Sequence, residues 1–231
     1  MLCIVYVTPF PRVPFIRSSS FTFQAYRLLG GIPARVLGSI VSVQAYWLCR
    51  FRPVRFGVGC RRMKETLSVI NRLRQDGVIG PYAIGGAVGA TLYLEPMATV
   101  DVDVFVLFEP APLLLTLTPI YEACARMGYK AEGEAIQIEG WPVQFLAASD
   151  PLLAEAVREA LTRESDGITT RVMSAEHLMA IALRTGRAKD HARLVMFVEA
   201  AVFDMGRLRA ILGRYSLLEA WGKFEQRFLQ P

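Results

Sequence analysis

The sequence predicts a mixed α/β sheet domain followed by a small helical bundle, and three observations carry that expectation. Residues 99–108, Thr-Val-Asp-Val-Asp-Val-Phe-Val-Leu-Phe, alternate at first and then turn wholly apolar, as a central strand does. Helical spacing lies on both sides of that run, with Leu67, Ile70 and Leu73 before it and Leu152, Leu153, Ala156, Val157 and Ala160 after it. From Ser174 onward every periodic stretch is helical. A chain of 231 residues suffices for one substantial domain, or for a small domain with an appended helical unit. Its 53% hydrophobic content excludes a mainly disordered protein.

Each element follows from its own signal. The spacing predicts a helix over 64–75, a short strand at Tyr82-Ala-Ile, and a helical stretch from Gly85-Gly86 to about Leu94. After the strand at 99–108 comes a helix at 113–127, which Pro119 either kinks or starts and Gly128 ends. Strands are expected at 129–132, 135–139 and 142–147, with Gly133 and Gly140 at the turns, then a helix at 151–161 and a strand at 168–172. Ser174 caps a helix that ends at Gly186, Asp190 begins another running to about Val202, and Asp204 caps a third. The expected organisation is thus a non-domain leader at 1–62, a sheet domain at 63–173 and a helical subdomain at 174–231.

The leader stands apart by composition. Residues 1–62 hold nine arginines and no lysine, aspartate or glutamate, whereas the remainder holds 17 basic and 21 acidic residues. The formal charge of +5 therefore describes the leader, and the folded body is mildly acidic. The leader lacks the order of a signal peptide, and its longest apolar run, 36–49, is shorter than the ~20 residues a bilayer span needs. It reads as a disordered or upstream segment with the physiological start at Met63, and stable membrane insertion is not expected. Surface association of this Arg-rich stretch would instead describe a membrane-tethered regulator. Three of four cysteines also lie there, which leaves Cys124 as a buried structural thiol and points to a reducing cytoplasm.

The chemistry is concentrated in a short stretch. Asp101 and Asp103, two apart on a strand, point to one face of the sheet, while Val100, Val102 and Val104 point to the other. Two carboxylates held so close repel unless a cation lies between them, and rigid oxygen ligands aimed at one point suit a divalent metal. Gly85 and Gly86, at a strand-to-helix junction, let backbone N–H groups approach a phosphate. The bland readings are an edge strand with two solvated acids and an ordinary Gly-Gly turn. Joined in sequence, the two features favour a metal–triphosphate site. His177 and His191 have no Cys or His partners at metal-ligand spacing and read as ordinary helix-surface or core-edge residues.

Gly-Gly before a helix, followed by Asp-x-Asp within a hydrophobic strand, resembles the signature of the DNA polymerase β-type nucleotidyltransferases. The segment from Ser174 through Arg187-Ala-Lys189-Asp190 resembles the helical part of AbiEii-type toxins of toxin–antitoxin systems. The resemblance covers about residues 63–199. It implies that Gly85 and Gly86 cradle phosphates, that Asp101 and Asp103 hold Mg²⁺ or Mn²⁺, and that Lys189 reaches the triphosphate. Asp190 would position Lys189 or assist the acceptor. The implied activity is transfer of a nucleoside monophosphate from an NTP to a hydroxyl of RNA, protein or a small molecule, with a cognate antitoxin as partner. Arg184, Arg187, Lys189 and Arg193 form a candidate basic patch for RNA. One departure stands out: where the superfamily places a third acid on a later strand, this chain has Gln144, which supplies no charge. Either another acid serves, such as Glu139, Glu155 or Asp190, or the domain is a catalytically idle nucleotide-binding or protein-interaction module.

Overall fold

The computed structural model describes residues 3–4, 57–95, 98–109, 116–165 and 167–229. The expectations for most of the leader, and for the start of the helix at 113–127, lie outside the described residues. The first strand, β1 (Cys3–Ile4), pairs antiparallel with β3 (Ala98–Thr99). Helix α1 (Gly57–Gln75) starts six residues ahead of Met63, the expected beginning of the folded body. It turns Met63, Leu67, Ile70 and Leu73 into the core, and each such fully buried side chain contributes about 1.5–3 kcal/mol.

The main sheet has seven strands among the described residues. These are β2 (Tyr82–Ile84), β4 (Val102–Val106), β5 (Lys130–Glu132), β6 (Ala135–Ile138), β7 (Trp141–Ala147), β8 (Leu161–Ser165) and β9 (Ile168–Val172). Their order is β5-β6-β7-β4-β2-β9-β8; β4 runs parallel to β7 and β2 parallel to β9, and the other pairs are antiparallel. The alternation that marked β4 in the sequence holds, with Val102, Val104 and Val106 fully buried and Asp103 and Phe105 on the opposite face. Val100 departs from it: the residue lies ahead of the strand and is 57% exposed, so it buries nothing.

Two apolar layers enclose the sheet. One face packs Val102, Val104, Val143 and Phe145 against α1 and α3 (Thr118–Arg126), and Thr66 of α1 donates its hydroxyl to the Ile138 carbonyl at 3.0 Å. Pro119 sits in the first turn of α3, so it starts the helix rather than kinking it. The other face packs Ala83, Leu107 and Ala148 against α4 (Pro151–Arg158), α5 (Ala175–Thr185), α6 (Ala188–Ala200), α7 (Met205–Arg214) and α8 (Leu218–Phe228). The remaining helix, α2 (Gly86–Ala90), follows β2 directly.

The C-terminal helices confirm two caps and correct a third. The Ser174 hydroxyl accepts from the His177 N–H, α5 ends at Gly186 in the left-handed region (φ 67°), and the Asp204 carboxylate accepts from the Arg207 N–H at 2.6 Å. Asp190 does not open α6. Arg187 occupies the N-cap and Asp190 lies in the first turn with its side chain 1% exposed. The helix expected over 151–161 stops at Arg158, and 161–165 instead forms the edge strand β8, which the sequence did not reveal.

Candidate active site

The junction of β2 and α2 meets the start of β4 through the antiparallel ladder, in which Ile84 faces Val104 and the Gly85 N–H donates to the Asp103 carbonyl at 3.0 Å. That pairing carries the Asp103 carboxylate over Gly86. A side-chain carbon on Gly86 would overlap Asp103 Oδ2, and Gly86 takes φ 58°, so both space and conformation require glycine there. At Gly85 an added carbon would strike the Phe105 ring at 2.6 Å. Gly86 and Asp103 are therefore brought together in space, whereas Asp101, expected on the same strand, lies immediately ahead of β4. Asp101 is steadied by Thr99, whose hydroxyl donates to the Asp101 carbonyl at 3.1 Å. The helix that follows Gly85 is only five residues long, so the junction offers N–H groups and little dipole.

Burial and a like charge both act against ionisation of Asp103. Burial pushes the Asp103 carboxyl up from its ordinary 3.8 to about 6, and the neighbouring Asp101 charge pushes in the same direction. Arg193, Lys189 and Arg187 pull it back. These three reach the site from the first turns of α6 and the residue before it. Asp190 orders two of them: its buried carboxylate accepts from Arg187 Nε at 2.7 Å and faces Arg193 Nη1 at 3.6 Å. The sequence had paired Asp190 with Lys189 instead. Among the described residues, Lys189 has no carboxylate within ion-pair distance. Arg184, the other member of the basic patch, is committed to Asp150 at 2.7 Å.

Gln144 stands beside Asp103. The parallel register of β4 and β7 places the two residues opposite one another, so their side chains share a face, the one opposite Val143. The other candidate acids lie in their own contacts. Glu139 accepts from Tyr129 Oη at 2.7 Å in the β6–β7 turn. Glu155 accepts from Arg214 Nη2 at 2.6 Å and Tyr215 Oη at 2.8 Å, and meets His177 Nε2 at 3.2 Å. Burial pushes the Glu155 carboxyl up, but the hydrogen bonds from Arg214, Tyr215 and His177 outweigh it and hold the group at about 2.

His177, fully buried, is a strut rather than a surface residue. Its Nδ1 meets Ser174 Oγ at 2.9 Å, and burial holds its pKa down against the pull of Glu155. Glu155, Glu159 and His177 could bring one ligand atom each within 4.8 Å of one another. Arg214 and Tyr215 already occupy Glu155, and Arg207 occupies Glu159 at 3.0 Å, so this network ties α4 to α5, α7 and the α7–α8 turn. Cys124 is buried and burial pushes its thiol up to about 11, as a structural cysteine requires. Among the described residues no helix is long and apolar enough to cross a membrane.

No family model matches this sequence, and no curated protein matches it. Several solved structures resemble the chain, two of them as follows. One is an antigenic nucleotidyltransferase-like protein from Paracoccidioides brasiliensis, 16% identical, with 69% of this chain and 92% of that one covered and a TM-score of 0.48. The other is the antibiotic-resistance factor ANT(2'')-Ia, 13% identical, with 71% of this chain and 98% of that one covered and a TM-score of 0.44.

Proposed function

We propose that the chain is a metal-dependent nucleotidyltransferase that moves a nucleoside monophosphate from an NTP to an acceptor hydroxyl. The observation that carries this reading is the Asp103 carboxylate, raised to about 6 and lying against Gly86 beside Asp101. A half-buried like-charge pair of carboxylates fits Mg²⁺ or Mn²⁺, hard cations that relieve the repulsion. Bound there, such a cation would neutralise triphosphate oxygens and favour in-line attack. Asp101 and Asp103 would hold it, and the N–H groups at Gly85 and Gly86 would approach the phosphates. Lys189, whose charge already acts on Asp103, would meet the triphosphate as a point charge. Asp190 would hold Arg187 and Arg193 toward the same charge.

The motif resemblance to AbiEii-type toxins supports a toxin role with a cognate antitoxin, acting on RNA or protein. Incubation of the protein with α-labelled NTPs, Mg²⁺ and total cell RNA or protein tests the reading. Label entering either pool names the acceptor class, and no transfer to any acceptor would contradict an enzyme. Gln144 favours the alternative, an idle binder on the same scaffold, because it puts an uncharged amide beside Asp103. Gln144→Asp separates the two. It should tighten Mg²⁺ binding in either case, and it should raise transfer only where the wild type lacks a base, whose assistance is worth ~10²–10⁴ in rate.

A further inference from the structure

The Gln144 side chain has a partner in the neighbouring hairpin. Its Nε2 donates to Glu134 Oε2 at 2.9 Å, and Glu134 lies in the turn between β5 and β6. An ionised carboxylate only accepts hydrogen bonds, so the NH₂ arm of the amide must face Glu134. In the sheet, β7 lies between β6 on one side and β4 on the other. An amide whose NH₂ arm is taken on the β6 side turns its carbonyl arm to the β4 side, where Asp103 stands in register. An amide oxygen on that side would meet a carboxylate, two acceptors facing the same space. That arrangement is unfavourable by itself and becomes favourable with a cation between them. Among the described residues no donor reaches Gln144 Oε1.

We infer that Gln144 Oε1 is a neutral third oxygen ligand for the divalent cation of Asp101 and Asp103, and that Glu134 is the positioning residue that orients it. The inference rests on the metal-site reading above and adds two residues to it. It also gives the uncharged residue at 144 a role that an idle scaffold would not need, because a half-exposed glutamine otherwise gains little from being fixed.

The test is Mn²⁺ affinity of the full chain without nucleotide, read from the paramagnetic signal of free Mn²⁺, for wild type, Glu134→Ala, Gln144→Ala and the double variant. Loss of a partner that orients a metal ligand costs roughly 10-fold in affinity or more. Glu134→Ala should therefore weaken Mn²⁺ binding by about 10-fold, Gln144→Ala by at least as much, and the double variant no more than Gln144→Ala alone. Thermal unfolding in EDTA should be little changed for all three, since both side chains are at least partly solvated. Unchanged affinity in Glu134→Ala, or an equal loss from that substitution in both backgrounds, would overturn the positioning role. If either result came with Mn²⁺ binding that Asp103→Asn abolishes, the metal site itself would survive. A wild type that binds no Mn²⁺ would overturn both.

Discussion

Replacing Asp103 by Asn keeps the shape of a side chain that packs over Gly86 while removing its charge. The folded carboxyl sits at about 6 against an ordinary 3.8, because burial and then Asp101 oppose its ionisation. Below pH 3.8 the group is protonated in both folded and unfolded chains and the displacement has no effect on stability. Between 3.8 and 6 the unfolded chain releases its proton while the folded chain holds it, so rising pH increasingly favours unfolding. Above 6 the penalty is complete. At 1.36 kcal/mol per pH unit it reaches at most about 3 kcal/mol, and about 1.5 kcal/mol of it is present at pH 5. The Asn variant lacks the penalty. In EDTA it should therefore be more stable than wild type, by a margin that widens from pH 5 to pH 8, in urea unfolding followed by circular dichroism. Adding Mg²⁺ should stabilise the wild type and leave the variant unmoved. If the variant is no more stable at pH 8 in EDTA, or the margin does not grow with pH, Asp103 is not held against its preference and the cation argument fails.

Lys189→Ala should weaken ATP binding by 10-fold or more in calorimetry while leaving adenosine binding unchanged, since a point charge acts on phosphate; equal loss for both would make the residue structural. Glu155→Gln should destabilise the protein by about 1–3 kcal/mol at pH 7, because the charge-assisted bonds from Arg214 and the contact with His177 are lost. The Glu155 carboxyl lies below its ordinary 4.5, so its contribution is present above pH 4.5 and fades as pH falls toward 2, and the gap between wild type and variant should close in acid unfolding. We propose that residues 1–62 are dispensable for the folded body, because Met63, Leu67, Ile70 and Leu73, which α1 turns into the core, all lie after them. Removing them, and with them β1 and the first six residues of α1, should lower Tm by no more than about 5 °C, and a larger loss would make those elements part of what holds the body together.

The catalytic-looking centre was legible in the sequence because its parts are local. β2, the glycine pair and the alternation of Val102, Asp103 and Val104 announce themselves within a single stretch, and one antiparallel pairing brings them together. Gln144 was legible as a departure because the superfamily resemblance sets an acid on that later strand, whose burial alternates from Trp141 to Leu146. What escaped depends on tertiary pairing. β8 reads as polar chain, since Thr162, Arg163 and Glu164 are exposed on an edge whose sheet partner among the described residues is β9. Asp190 has the local look of a helix cap, and only the fold shows it buried between Arg187 and Arg193. Glu134 carries no signal at all, because its contact with Gln144 exists only once the β5–β6 hairpin lies beside β7.

The central claim is that Asp101 and Asp103 hold a divalent cation that brings a nucleoside triphosphate to the glycine pair. The most direct measurement is calorimetric titration of each of the four nucleoside triphosphates, with Mg²⁺ and with EDTA, into wild type and the Asp101→Asn/Asp103→Asn double variant. The account predicts Mg²⁺-dependent binding of at least one triphosphate by the wild type, and loss of that dependence in a double variant that still unfolds cooperatively. Mg²⁺-dependent binding of equal strength in the double variant would contradict it.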